Sequence, residues 1–341
     1  MELRTPLCEL LGIDLPILCA GMGFLAGPEL AAAVSGAGGL GVLGNGSAGP
    51  EFVRHQVART RELTERPIGV NLIVQADEPG DADYLCEQIR LAAECGANHI
   101  VLFWGEAAPF VASVRESGQG KVLIQVGSVP EAEAAAEAGV DAIIAQGVEA
   151  GGHVRGTESV WDLLPATIAA VAPIPVLASG GIGNGEGLAR ALSLGAQGVS
   201  LGTRFVASEE ADAHPEYKQR IVAAKAAETV YTQLFDRGWP DAPHRVLRNR
   251  VFDEWEEAGS PATGARPGEG EPIGRQARPG EEPRDWIRYS VGSALASFDG
   301  DVEDAPLWAG ESVEVVDDIR SAGEIVRSLA AEAEAIFSAA G

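Results

Sequence analysis

His153 is the residue whose type and setting best suit it to move a proton. It is one of five histidines and closes the segment Gln146-Gly147-Val148-Glu149-Ala150-Gly151-Gly152-His153. Imidazole exchanges a proton near neutral pH, and a glycine-rich loop is not the usual setting of a core histidine. Asn71 and Gln146 stand at the ends of short apolar runs, where an amide can bond a heterocycle's edge or cap loop backbone. Two further segments, Ser179-Gly180-Gly181-Ile182-Gly183 and Gly202-Thr203-Arg204, are rich in small residues. Their backbone N–H groups can approach an anion closely, with helix N-termini behind them. Gly21-Met22-Gly23 and Gly44-Asn45-Gly46 are similar runs. His99 opens an apolar run and reads as structural, His55 as a helix-surface residue, and His214 and His244 fit either role. Cys8, Cys19, Cys86 and Cys95 form no C-x-x-C pair and have no histidine at metal-ligand spacing, so free thiols and no metal site are expected.

The elements that must position these residues follow a repeating beat. Four times an Ala-rich helical stretch ends in glycine and short apolar runs follow, at residues 31–46, 91–105, 134–147 and 189–203. The glycine suits the left-handed turn that ends a helix. The run after it lacks alternation, as a strand buried on both faces does. Extending the beat predicts eight strands, at 15–20, 40–43, 68–72, 99–103, 122–126, 142–145, 175–178 and 198–201. Helices are predicted between them at 28–35, 51–64, 81–94, 107–116, 130–137, 160–171 and 185–194. The expected fold is an α/β (β/α)₈ TIM barrel with a smaller, mostly helical C-terminal elaboration. No G-x-G-x-x-G follows the first strand, which weakens a doubly wound dinucleotide fold. In a barrel the functional loops follow the strands' C-terminal ends, and every candidate above falls there. The expected organisation is a barrel over 1–205, an elaboration over 206–290 and a C-terminal segment over 291–341 that packs back on the barrel. Residues 206–258 read as helical, and 259–283, dense in Gly, Pro and charge, as a long loop.

Composition limits the partners. The 341 residues carry 50 acidic against 25 basic side chains, a net charge of −25. Nucleic acid and anionic membrane surfaces are therefore poor partners. The N-terminus lacks a signal-peptide pattern and no run is long enough to span a bilayer, so a soluble cytoplasmic protein is expected. The 43 glycines divide into one set that ends helices and another on one rim, where N–H groups can hold a phosphate that an acidic surface would repel. Arg155 or Arg204 is expected to offset the acidic field for an anionic substrate.

In order, PILCAGMGFLAGPELAAAVSGAGGLGVLG, GVNLI, QGVEAGGHVRG and PVLASGGIGNGEGLARALSLGAQGVSLGTRF together resemble the nitronate monooxygenase (2-nitropropane dioxygenase) family over roughly residues 5–225. The resemblance implies a TIM barrel, non-covalent FMN and an active-site histidine at His153. It implies flavin contacts at Gly21, Met22, Asn71, Gln146, Gly151, Gly180, Gly181, Ser200, Leu201, Gly202 and Thr203. The family often has proline where this chain has Gly21, and a smaller residue where it has Arg155. The implied reaction is oxidation of an alkyl nitronate, or a nitroalkane, by O₂ to a carbonyl compound and nitrite. An alternative is an NAD(P)H-dependent enoyl-acyl-carrier-protein or quinone reductase, with the 259–283 segment meeting the pyridine nucleotide. A non-redox phosphate-binding barrel of the IMP dehydrogenase type would need a loop cysteine, which the 146–153 segment lacks.

Overall fold

A computed structural model describes residues 3–45, 48–75, 80–116, 120–278 and 280–340; Gly46 lies outside them. Eight parallel strands form its centre: β1 Ile17–Cys19, β2 Gly41–Gly44, β3 Ile68–Ile73, β4 His99–Phe103, β5 Lys121–Val126, β6 Ala142–Gln146, β7 Val176–Ser179 and β8 Gly198–Leu201. They pair in the order β1-β8-β7-β6-β5-β4-β3-β2. A parallel bridge between Leu18 and Leu40 brings β1 against β2 and closes the barrel. Each predicted strand lies within two residues of the observed one, because glycine-ended helices and unbroken apolar runs are both local signals.

Alternation along each strand sorts the side chains. Ile17, Val70, Ile100, Ile124, Ile143, Val176 and Val199 face outward and join the layer under the helices. Leu18, Val42, Val101, Leu123, Ile144 and Leu177 face inward, where helix Pro6–Leu11 plugs the lower end with Leu7, Cys8 and Leu11. Two residues further along the same inward face, β5, β6 and β7 carry Gln125, Gln146 and Ser179, which line a cavity at the upper end. The barrel interior thus changes from apolar to polar along its axis, and the change falls where the loops begin.

The C-terminal third corrects the expectation of a mostly helical elaboration. Among the described residues after Val206 and up to 290, only Pro215–Ala223 and Arg250–Glu257 form α-helices. Thr229–Thr232 instead pairs antiparallel with His244–Leu247, which in turn pairs with Gly152–His153. The run Thr-Val-Tyr-Thr is β-branched and aromatic, and its partner strand lies fully buried. Within the stretch expected as a loop, Pro272–Gln276 pairs with Arg284–Ile287 and with Asp299–Gly300. Helix Ala322–Ala340 returns to the barrel, where Ile325, Val326, Leu329 and Ala333 enter the main core.

Candidate active site

A cavity of about 520 Å³ lies between the C-terminal ends of the strands and the C-terminal elaboration. That is the size of a small-molecule site. Gly21, Met22, Asn71, Gln146, Gly151, His153, Gly180, Gly181, Ser200, Leu201, Gly202 and Thr203 all line it. Leu201 reaches it only with main chain, since its side chain packs in the outer core.

Part of the cavity wall is a cradle of backbone donors. Among the described residues, the N–H groups of Gly180, Gly181, Gly202 and Thr203 donate to no protein group. Gly180 and Gly181 have φ of 104° and 69°, which L side chains rarely adopt. A Cβ on Gly202 would meet nothing nearer than Met22 Sδ at 3.7 Å, so it would stand in the cavity. The Thr203 hydroxyl oxygen accepts from the Gly310 N–H at 3.0 Å and ties the C-terminal segment to the barrel.

The cavity wall also presents amides. Asn71 Nδ2 donates to the Val101 carbonyl at 3.1 Å. Gln146 Nε2 donates to the His153 carbonyl at 3.0 Å, leaving Gln146 Oε1 buried without a partner. An orphaned buried acceptor is costly unless a bound group supplies a donor. Gly21 lies against Asn71: a Cβ at 21 would fall 2.1 Å from Asn71 Cβ. Gly21→Ala is therefore expected to displace Asn71, lower stability by about 1–3 kcal/mol and weaken cofactor binding. Chemical denaturation and a flavin titration measure both losses, and an unchanged Asn71 environment would contradict the packing argument. Phe24 and Trp104, which follow β1 and β4, both hold φ near 60°, at 59° and 64°. Such backbone outliers in bulky residues cluster at functional sites.

His153 sits in an aromatic enclosure. Its ring centroid is 4.1 Å from Trp239, 5.2 Å from Trp308, 5.9 Å from Trp104 and 5.6 Å from His244. Burial, with a smaller contribution from His244, pushes its imidazole down to about 3, so the ring is neutral at pH 7. Its Nε2 is enclosed and has no hydrogen-bond partner. His244 is held in one tautomer: Nδ1–H donates to the Ala242 carbonyl at 2.9 Å, and Nε2 accepts from the Phe235 N–H at 3.3 Å. Burial lowers His244 to about 4, and lowers His99, which lies against the Leu11 carbonyl, to about 4.

These three rings set an acid limit to stability. Each stays neutral in the fold while its unfolded counterpart protonates below about 6.5. Their contribution is complete above that pH and is lost as pH falls toward 4, by about 1.4 kcal/mol per pH unit for each ring. Urea unfolding between pH 7 and 4.5 should show a steadily falling midpoint; a flat profile would contradict neutral buried rings.

Neither arginine expected to serve the anion lines the cavity. Arg155 stacks over Trp104 and pairs with Glu131 at 2.9 Å. Arg204 is buried and bonds Asp318, because its side chain points back beneath the C-terminal segment. Among the described residues, the cation lining the cavity is Arg278, which lies 4.8 Å over the Phe24 ring. Trp239, Trp308 and Arg278 escaped the sequence reading because they come from the elaboration and the C-terminal segment, outside the barrel. Tryptophan's rarity, six in the chain, was the one signal available for the first two.

A family model for nitronate monooxygenase matches residues 4–332. The chain belongs to the nitronate monooxygenase family. It is similar to a nitronate monooxygenase of Paraburkholderia phytofirmans, at 30% identity over 96% of this chain and 95% of that protein. It is also similar to the (3aS,4S,5R,7aS)-5-hydroxy-7a-methyl-1-oxo-octahydro-1H-indene-4-carboxyl-CoA dehydrogenase of Mycobacterium tuberculosis, at 36% identity over 77% of this chain and 71% of that one. The structure of FabK from Thermotoga maritima matches with a TM-score of 0.80 and 32% identity, covering 99% of this chain and 98% of that one. A nitroalkane oxidase from Streptomyces ansochromogenes matches with a TM-score of 0.75 and 27% identity, covering 98% and 99%. As a member of the nitronate monooxygenase family, the protein is a flavin-dependent oxidoreductase on a TIM barrel. Among the described residues no helix is long and apolar enough to cross a membrane, and no cluster could hold a metal ion.

Proposed function

We propose that this protein binds FMN and oxidises alkyl nitronates with O₂ to a carbonyl compound and nitrite, in a reducing cytoplasmic setting consistent with its four free thiols. The observation that carries the reading is one cavity lined both by free backbone donors and by a neutral, caged histidine beside an orphaned amide acceptor. The residues present fit a phosphate-bearing flavin. The N–H groups of Gly180, Gly181, Gly202 and Thr203 would hold the phosphate without side-chain cations, as an acidic chain requires. Gln146 Oε1 would accept from the heterocycle, and Gly21, Met22, Asn71, Gly151, Ser200 and Leu201 would shape the rest of the bed. Bound there, FMN supplies the redox chemistry, and the protein supplies position and electrostatics. His153 would orient a nitronate or take the α-proton of a neutral nitroalkane: the C–H bond breaks, its electron pair stays on the substrate, and an imidazole nitrogen gains the proton. Anaerobic mixing with propyl-2-nitronate should change the flavin absorbance, and nitrite should appear in air. An unchanged spectrum with no nitrite would overturn the proposal.

A second reading, an NAD(P)H-dependent reductase, is supported by the likeness to FabK over nearly the whole chain. Arg278 adds to it, since it brings a positive charge to the cavity from the 259–283 segment. Rapid bleaching of the flavin by NADH or NADPH alone would favour the reductase.

A further inference from the structure

A histidine that takes a proton gains a positive charge, and no acidic group is felt at His153. The titratable and charged groups around it belong to other pairings. His244 is kept neutral by burial, against the opposing effects of its bond to the Ala242 carbonyl and of Asp236. Arg155, over Trp104, is paired with Glu131. Glu149, on the same loop, accepts from the Ser159 hydroxyl and the Val160 N–H.

Two indoles lie close to the ring at shallow tilts instead. The Trp239 and Trp308 planes are tilted from the imidazole by only 33° and 36°, whereas Trp104 and His244 meet it edge-on at 81° and 70°. Both indoles are anchored. Trp239 Nε1–H donates to Gln75 Oε1 at 2.7 Å. Trp308 Nε1–H donates to the Gly292 carbonyl, and its own carbonyl accepts from the Tyr217 hydroxyl at 2.5 Å. An indole face within about 6 Å attracts a cation.

We propose that Trp239 and Trp308 are positioning residues for His153: they fix the plane of its imidazole and attract the positive charge it gains with a proton. The inference rests on the reading of His153 as proton acceptor.

The test follows His153 by NMR in the full-length flavoprotein carrying ring-labelled histidine, with His153→Gln identifying the resonance. Stacked indoles should place its ring protons upfield of the other four histidines. Tryptophan fluorinated on its benzo ring keeps the shape and weakens the π face. It should lower the protonated fraction of His153 about threefold at a given acidic pH. In Trp239→Phe/Trp308→Phe protein the same labelling should leave His153 unmoved, which excludes Trp104 as the source. A His153 titration unaffected by fluorination, or ring protons without an upfield shift, would overturn the proposal. Turnover judges the underlying reading separately: a His153→Gln variant that consumes neutral nitroalkane as fast as the parent removes the proton-acceptor role, whatever the NMR shows.

Discussion

Turnover of a neutral nitroalkane should fall about 10²–10⁴-fold in His153→Gln protein, the range for loss of a positioned general base. Glutamine keeps much of the side-chain volume and a polar end but cannot exchange a proton at neutral pH. The contacts that shape the loop are main-chain ones and survive the change. The His153 carbonyl still accepts from Gln146, and residue 153 still pairs with His244. Flavin affinity should therefore change little. A preformed nitronate has already lost its α-proton, so its oxidation should fall much less than that of the neutral substrate. Rates on both substrates, with a flavin titration of the variant, check the expectation. Equal losses on the two would mean that His153 orients the substrate and takes no proton.

The second large effect is expected at the backbone donors of the cavity. Gly202 has φ −100°, so a side chain there brings no left-handed strain, and its missing side chain leaves space. Gly202→Val should place two methyl groups where the phosphate would lie, with little cost to the fold. Losing two charge-assisted hydrogen bonds costs about 3–6 kcal/mol, at least about a hundredfold in flavin affinity. The purified variant should be colourless, with stability within about 0.5 kcal/mol of the flavin-free parent. Gly180→Ala would be a poorer probe, because φ 104° and contact with Ala150 N at 3.0 Å destabilise the loop itself. Full flavin retention by Gly202→Val would move the phosphate site elsewhere.

The barrel was legible because its signals are local. A helix ends where glycine permits a left-handed turn, as at Gly139 and Gly195, and a strand covered on both faces is apolar, as in β1 and β2. Asn71, Gln146 and His153 stood out because polar groups at such strand ends have no core to enter. The elaboration resisted the same treatment. Thr229–Thr232 follows a helical stretch, and only its pairing with a buried strand distant in sequence makes it a strand. Arg204 follows the last barrel strand and was expected at the anion, but a carboxylate from the C-terminal segment draws it away.

By itself the sequence determined the eight-fold beat, the rim that gathers the glycines, and the histidine beside it. Each of these is set by backbone conformation or burial within one strand-and-helix unit. Only the tertiary structure decided that Trp239 and Trp308 enclose His153, that Arg278 rather than Arg155 or Arg204 reaches the cavity, and that Asn71 fills the space beside Gly21. Those contacts join segments far apart in the chain. Their stability comes from packing and desolvation between surfaces that exist only once the elaboration has folded onto the barrel.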